Sequence, residues 1–235
     1  MNPMAGVLHL IPTPISSGPF PLPEYLKEVF RSVPYIISER ERTTIRFLAS
    51  FLTPEELSRK HFARFDEHST EEDLDPLLHP IVQGMEGALV SEAGLPCVAD
   101  PGASLVALAH RRGISVVPHP GPSAIVQALM ASGLNGQRFM FEGYLPIKEP
   151  DRLKRLRYLE GLSRREALSV GWIETPYRTD QLAAYLVSHL EETTRLCIAR
   201  DIMGTDERIE MKTIGEWRKH PLRFGKIPAI FWMQG

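Results

Sequence analysis

Four carboxylates and three arginines stand at the ends of apolar runs in this 235-residue chain: Glu39, Glu92, Asp100 and Glu174, with Arg42, Arg178 and Arg200. A carboxylate so placed can take a proton from an acceptor hydroxyl, and an arginine nearby can hold an anion or orient the acid. Two loops of small residues accompany them, Ser91 to Gly102 and Pro120 to Ser123. Glycine lacks a Cβ and proline offers no N–H, so such loops let a flat or bulky ligand lie against bare backbone. Plainer roles compete for the same residues. Glu39 and Arg42 would also cap and brace the helix that follows, and Asp100 before Pro101-Gly102 reads as a turn or cap residue.

Bulk properties remove several classes. With 27 Lys and Arg against 29 Asp and Glu, the net charge of −2 gives no global field for a polyanion, so any nucleic acid needs a local patch. The helical segment Lys148 to Arg165 offers one. Lys148, Arg152, Lys154, Arg155, Arg157, Arg164 and Arg165 stand there against Glu149, Asp151 and Glu160, a surplus that could hold phosphates or serve as a solvated face. No apolar run approaches the roughly 20 residues of a membrane span. Met1 to Gly6 shows no cationic lead into an apolar stretch, so a cytoplasmic, unprocessed protein is expected. Cys97 and Cys197 suggest neither a disulfide framework nor a zinc knuckle and read as buried thiols. The eight histidines show no metal spacing, so no metal is expected; His110 and His119 read as surface or loop residues.

The elements that must position these residues alternate. Val7 to Ile11, Tyr35 to Ser38, His61 to Phe65, Gly87 to Ser91 and Ile114 to Val117 read as strands. Helices are expected at Leu22 to Ser32, Thr43 to Phe51, Thr70 to Val82, Ser104 to Arg112 and Ser123 to Ser132. That alternation argues for a parallel sheet covered on both faces. The turn-rich Gly133 to Gln137 stretch is taken as a boundary between domains 1–133 and 138–235. Beyond it, strands are expected at Arg138 to Glu142, Leu168 to Glu174, Arg195 to Arg200, Arg208 to Lys212 and Ile227 to Met233. Helices fall at Asp151 to Leu162, Arg178 to Leu190 and Ile214 to His220. The short turn between Arg200 and Arg208 implies a hairpin and a mixed sheet.

In an open parallel sheet, ligands sit beyond the carboxyl ends of the strands. The first such turn, Pro12 to Gly18, is neither GxGxxG nor GxxxxGK[ST], so the common phosphate cradles are absent. A phosphate-free ligand such as S-adenosylmethionine suits Pro-rich and Gly-rich turns after strands one, four and five.

Taken in order, LIPTPI, SEAGLPCVADPG, PGPSAIVQALMASGL, GYLP, ETPYR and ARDI resemble the signposts of the tetrapyrrole methylase superfamily. They are most similar to its branch that methylates the ribose 2′-hydroxyl of a small-subunit ribosomal RNA cytidine. The resemblance covers nearly the whole chain. It implies an α/β fold of two αβα domains, with S-adenosylmethionine in a cleft between them, and a homodimer. Carried over by position, the cofactor residues would be Pro12, Ala93, Gly94, Leu95, Pro96, Val98, Ser123, Ala124, Glu174, Cys197 and Ala229. Glu39, Arg42 and Glu92 would be the catalytic candidates.

The chain departs from that branch in four places. Where the branch reads EDTR, this chain has Glu39-Arg40-Glu41-Arg42; SDAG becomes Ser91-Glu92-Ala93-Gly94; and ESPHR becomes Glu174 to Arg178 without its histidine. The sequence also ends at the last expected strand, a short form without the branch's usual C-terminal helical piece. A methyltransferase acting on an RNA ribose is expected. The alternatives are methylation of a tetrapyrrole-like small molecule, or a cofactor-binding regulatory module that has lost catalysis.

Overall fold

Short runs rich in Leu, Ile and Val form the strands of two five-stranded sheets in this computed structural model, which describes residues 5–16, 18, 22–66, 68–220 and 223–235. The chain divides into two compact units. One runs up to Ile15 and resumes through Pro122; the other holds Ser123–Gly235 together with Ser16 and Gly18.

Unit 1 follows the expected alternation: β1 Val7–Ile11, α1 Glu24–Ser32, β2 Tyr35–Ser38, α2 Glu41–Leu48, α3 Pro54–Ser58, β3 His61–Arg64, α4 Glu71–Val82, β4 Gly87–Val90, α5 Ala103–Arg111 and β5 Ser115–Pro118. Its strands lie in the order β3-β2-β4-β1-β5, every pairing parallel. All four residues of β2 and of β4 are buried, which is why these strands read as unbroken apolar runs rather than alternating ones. Ile11, Ile36, Ala88 and Val90 pack with Leu26 and Phe30 of α1 and Leu48 of α2. On the opposite face, Leu8, Ile37 and Leu89 meet Leu78 and Ile81 of α4 and Leu105 and Ala109 of α5. The helix α3 was not expected. It buries none of its five residues and so has no apolar period, but Thr53 and Glu56 cap it reciprocally, with Pro54 at its first position.

Unit 2 contains α6 Ala124–Ser132, β6 Phe139–Phe141, α7 Asp151–Glu166, β7 Ser169–Glu174, α8 Thr179–His189, β8 Arg195–Arg200, β9 Arg208–Thr213, α9 Ile214–Trp217 and β10 Ala229–Gln234. The order is β6-β7-β10-β8-β9. Only β6 and β7 run parallel, so the sheet is mixed, with the expected β8–β9 hairpin at its edge. Val170, Trp172, Leu196, Ile198, Ala229 and Phe231 share a core with Leu156 and Leu159 of α7 and Leu182 and Leu186 of α8. On the other face, the Trp232 indole N–H donates to the Ile125 carbonyl of α6 at 3.1 Å. The 133–137 stretch expected to separate the domains therefore lies inside unit 2. Among the described residues, no helix is long and apolar enough to cross a membrane. Residues 1–4, on which the N-terminal expectation partly rests, lie outside the description, as does Ser17 of the first loop.

Candidate functional site

Strand order determines where unit 1 can hold a ligand. β1 and β2 lead into helices on one face of the sheet, whereas their shared neighbour β4 leads into α5 on the other. Loops that part in this way open a crevice at the carboxyl ends of the strands. The expected loops meet there. The Thr13 N–H donates to the Gly94 carbonyl at 3.0 Å, and the Gly94 N–H returns a bond to the Thr13 carbonyl at 3.1 Å. The Thr13 hydroxyl donates to the Ser91 carbonyl (3.1 Å), and the Ala93 N–H donates to Ser91 Oγ (3.0 Å).

Two glycines make this closure feasible. Gly94 sits at φ +80°, and a Cβ on Gly121 would lie 2.2 Å from Pro12 Cγ. The β1, β4 and β5 loops are thus one construction. Cys97 and Ala99 take left-handed φ values of 68° and 56°, each costing a non-glycine residue about 1–2 kcal/mol. Strain of this kind persists where the surroundings over-determine the chain. Of the expected cofactor positions, Pro12, Gly94 and Pro96 are buried in this construction, Leu95 is half-buried, and Ala93 and Val98 are exposed. Ser123 and Ala124 belong to unit 2, where Ser123 Oγ caps α6 by accepting from the Val126 N–H.

The carboxylates gather at the ends of β2 and β4. Burial raises the Glu92 carboxyl above its ordinary range; Arg40 opposes this, Glu39 reinforces it, the Thr43 hydroxyl opposes it, and Asp100 adds to the rise. Asp100 is also raised, first by burial and then by Glu39, with the Ser91 hydroxyl pulling the other way. Glu39, Glu92 and Asp100 therefore feel one another. Arg42 is exposed on the first turn of α2; the cation beside Glu92 is Arg40, the residue that stands where the resemblance implied an aspartate. Asp100 does not cap α5, whose N-cap is Gly102. Its place among the acids comes from the strand order, which a turn signal does not reveal.

Unit 2 carries a different edge. Glu174, Ala229, Arg200 and Arg208 pair side by side across β7, β10, β8 and β9 and so share one face at one end of the sheet. Arg178 donates to Glu174 Oε1 through Nε (2.9 Å) and Nη2 (2.7 Å), and the Thr175 N–H adds a third bond at 2.7 Å. A small pocket of about 80 Å³ lies between this turn and Leu145, Pro146 and Ile147. Glu174 and Ala229 are thus adjacent, but Cys197 is not with them: it is fully buried and alternates onto the α6 face. Burial pushes its thiol up to about 12 and that of Cys97 to about 11, so both are inert. In the basic helix, Arg152, Arg155, Arg157 and Arg164 pair with Glu149, Glu142, Glu160 and Glu191. Glu142 and Glu191 lie outside the segment, so these pairings halve the surplus seen in sequence. Among the described residues, no group of three or more His, Cys, Asp or Glu could hold a metal ion.

No protein-family model matches the chain. Its sequence is 34% identical over 213 residues to the ribosomal RNA small subunit methyltransferase I of Vibrio cholerae, a match spanning 90% of this chain and 70% of that protein. The proteins of that name from Escherichia coli O157:H7 and Pseudomonas aeruginosa match at 34% and 33%, spanning 90% of this chain and 70% and 72% of theirs. The chain belongs to the ribosomal RNA small subunit methyltransferase I family. The fold also recurs in uroporphyrin-III-C-methyltransferase from Thermus thermophilus (TM-score 0.54, 17% identity, 98% of this chain and 93% of that one). The methyltransferase CobJ shares it as well (TM-score 0.63, 15% identity, 98% and 95%). Within the family fold, the loops of the opening motifs form the unit 1 edge, and GYLP, ETPYR and ARDI form the unit 2 edge.

Proposed function

We propose that this family member transfers a methyl group from S-adenosylmethionine to a ribose 2′-hydroxyl of small-subunit ribosomal RNA. The observation that carries the reading is the unit 1 edge, where two hydrogen-bonded loops and a third packed against them present backbone and small side chains beside carboxyls held above their ordinary pKa. A flat nucleoside suits bare backbone, a cationic sulfonium suits carboxylates, and neither asks for the phosphate cradle that the first loop lacks. When bound, the cofactor supplies a methyl carbon on a sulfonium that departs as a neutral thioether, so no acid is needed on the leaving side.

The chain's own residues then have two tasks. The Pro12, Ala93 to Pro96, Val98, Ser123 and Ala124 positions hold the cofactor, with Glu174 on its turn as a further contact. Glu92 takes the proton of the acceptor hydroxyl. Its raised pKa makes it a stronger base than an ordinary carboxylate, and the Arg40 charge moderates that rise. RNA is the partner, in the cytoplasm, and the enzyme works as a homodimer.

Calorimetry with S-adenosylmethionine and its demethylated product tests the donor; absence of binding for both at sub-millimolar concentration rejects it. Transfer of labelled methyl to undermethylated small ribosomal subunits, with none to a porphyrinoid panel, tests the acceptor. Sedimentation of the protein at micromolar concentration tests the dimer.

A further inference from the structure

The most exposed aromatic side chain described is Tyr177, 80% accessible, in the turn that follows β7. Exposure of a whole tyrosine ring forgoes its burial energy, and this one is presented rather than loose. The Arg178–Glu174 pair and the Arg178 N–H bond to the Thr175 carbonyl (2.9 Å) clamp its turn. Beside it, Asp180 Oδ1 accepts from the N–H groups of Phe224 (2.6 Å) and Gly225 (3.2 Å), and the Thr179 hydroxyl donates to the Ile227 carbonyl (3.1 Å). These bonds hold Lys226 so that its Nζ stands over one face of the Tyr177 ring, 5.5 Å from the centroid. At 80% accessibility most of the ring stays open to solvent even with Lys226 over it. The neighbouring loop after β6 exposes Tyr144 (57%) and Ile147 (62%), and Ile147 lines the small pocket shared with Glu174 and Arg178.

An open aromatic face backed by a cation, on a clamped turn, matches the chemistry of an unpaired nucleotide. The base stacks on the ring, and the ammonium sits where a flanking phosphate would lie. We infer that Tyr177, with Lys226 and the Tyr144–Ile147 loop, forms a base-stacking platform for an unpaired nucleotide of the RNA substrate. The inference rests on the proposal that the acceptor is RNA and adds the surface that grips it. It also gives the tyrosine that stands where the related pattern reads histidine a role of its own.

The test compares Tyr177→Ala and Tyr177→Phe with the unaltered protein in three measurements. They are the KM for undermethylated small subunits, the affinity for a fluorescent single-stranded RNA of about 12 nucleotides, and the calorimetric affinity for S-adenosylmethionine. Loss of one stacked base, about 1–3 kcal/mol, corresponds to a roughly 5- to 150-fold rise in KM and in RNA dissociation constant for Tyr177→Ala. Tyr177→Phe keeps the ring and stays within about twofold of the unaltered protein, and cofactor affinity does not change in either variant. The platform is rejected if Tyr177→Ala leaves RNA affinity and KM within about twofold, or if the unaltered protein binds no single-stranded RNA. Subunits that accept no methyl from a protein that still binds RNA through Tyr177 would reject the acceptor assignment alone.

Discussion

Both sheets end in a buried or half-buried glutamate, and the two are treated in opposite ways. In unit 2, Glu174 is 8% exposed, and a single oxygen receives Arg178 twice and a backbone N–H once. Its position is fixed by those three bonds. In unit 1, Glu92 shares its surroundings with Glu39 and Asp100, and Arg40 does not fully offset burial, so its carboxyl stays above its ordinary range. A locked carboxylate holds a turn in place, whereas one poised to bind a proton can do chemistry. On the proposed reading, proton transfer falls to unit 1 and the rigid presentation of Tyr177 to unit 2.

The largest expected effect breaks the contrast directly. Glu92→Gln removes the proposed proton acceptor and lowers kcat by about 100- to 10,000-fold, while Glu39 and Asp100 keep carboxyl groups for the sulfonium, so calorimetric affinity for S-adenosylmethionine falls by far less, no more than about tenfold. Glu174→Gln reverses the pattern. It strips a partly exposed arginine of its partner, so the melting temperature falls by roughly 2–8 °C, as about 1–2 kcal/mol implies at this chain length, and kcat drops by no more than about tenfold. Equal losses of kcat in the two variants would erase the division of labour. Asp100→Asn separates the two acids: a deficit as deep as that of Glu92→Gln would move the base to Asp100.

Much of this was legible in the chain, for physical reasons that differ by region. The strands of unit 1 are buried on both faces and announce themselves as apolar runs, and the β8–β9 hairpin follows from a turn too short for a crossover. The unit boundary was not legible. The α6 helix follows the Pro120–Ser123 loop without a break in composition, and what draws it into unit 2 is its packing on β10, including a bond between residues 107 positions apart. The face Cys197 takes is a period-two matter: it alternates with Leu196 and Ile198, which face the core shared with Ala229, so it points to the other side. Arg40 was visible only as a departure from a pattern. Its meaning needed β2 and β4 to be neighbours, which no local signal supplies.

Arg40 sharpens the contrast at a smaller scale. Because its charge lowers the Glu92 pKa, Arg40→Ala should raise it, and the acid limb of the kcat/KM profile should move to higher pH with the plateau largely kept. Arg178→Ala, at the other edge, should leave the position of that limb alone. A limb that stays put in Arg40→Ala and moves in Arg178→Ala would mean that the working acid is Glu174.

The smallest expected effect also concerns unit 1 and reads on stability. His9 Nδ1 lies 3.0 Å from His119 Nε2, one ring donating to the bare nitrogen of the other, with Tyr25 packed against His119 and Glu86 Oε2 3.9 Å from His9 Nε2. Burial lowers the pKa of both rings; Glu86 opposes the shift at His9, and His9 deepens it at His119. The folded chain therefore binds fewer protons than the unfolded one below the ordinary imidazole value of about 6.5, so this pair's stability is present at neutral pH and lost as pH falls. Glu92 and Asp100 act with the opposite sign, since a raised carboxyl stabilises at low pH and loses that contribution as pH rises. A single pH scan mixes the two. Comparing urea midpoints of the unaltered chain and His119→Gln between about pH 7.5 and about pH 5.5 isolates the histidines, because the carboxyl contribution cancels in the difference. The unaltered chain should lose more stability over that interval than the variant. Equal losses would mean that the ring pair takes up protons in the fold as readily as in the unfolded chain, and the pH dependence of unit 1 would then come from its carboxyls alone.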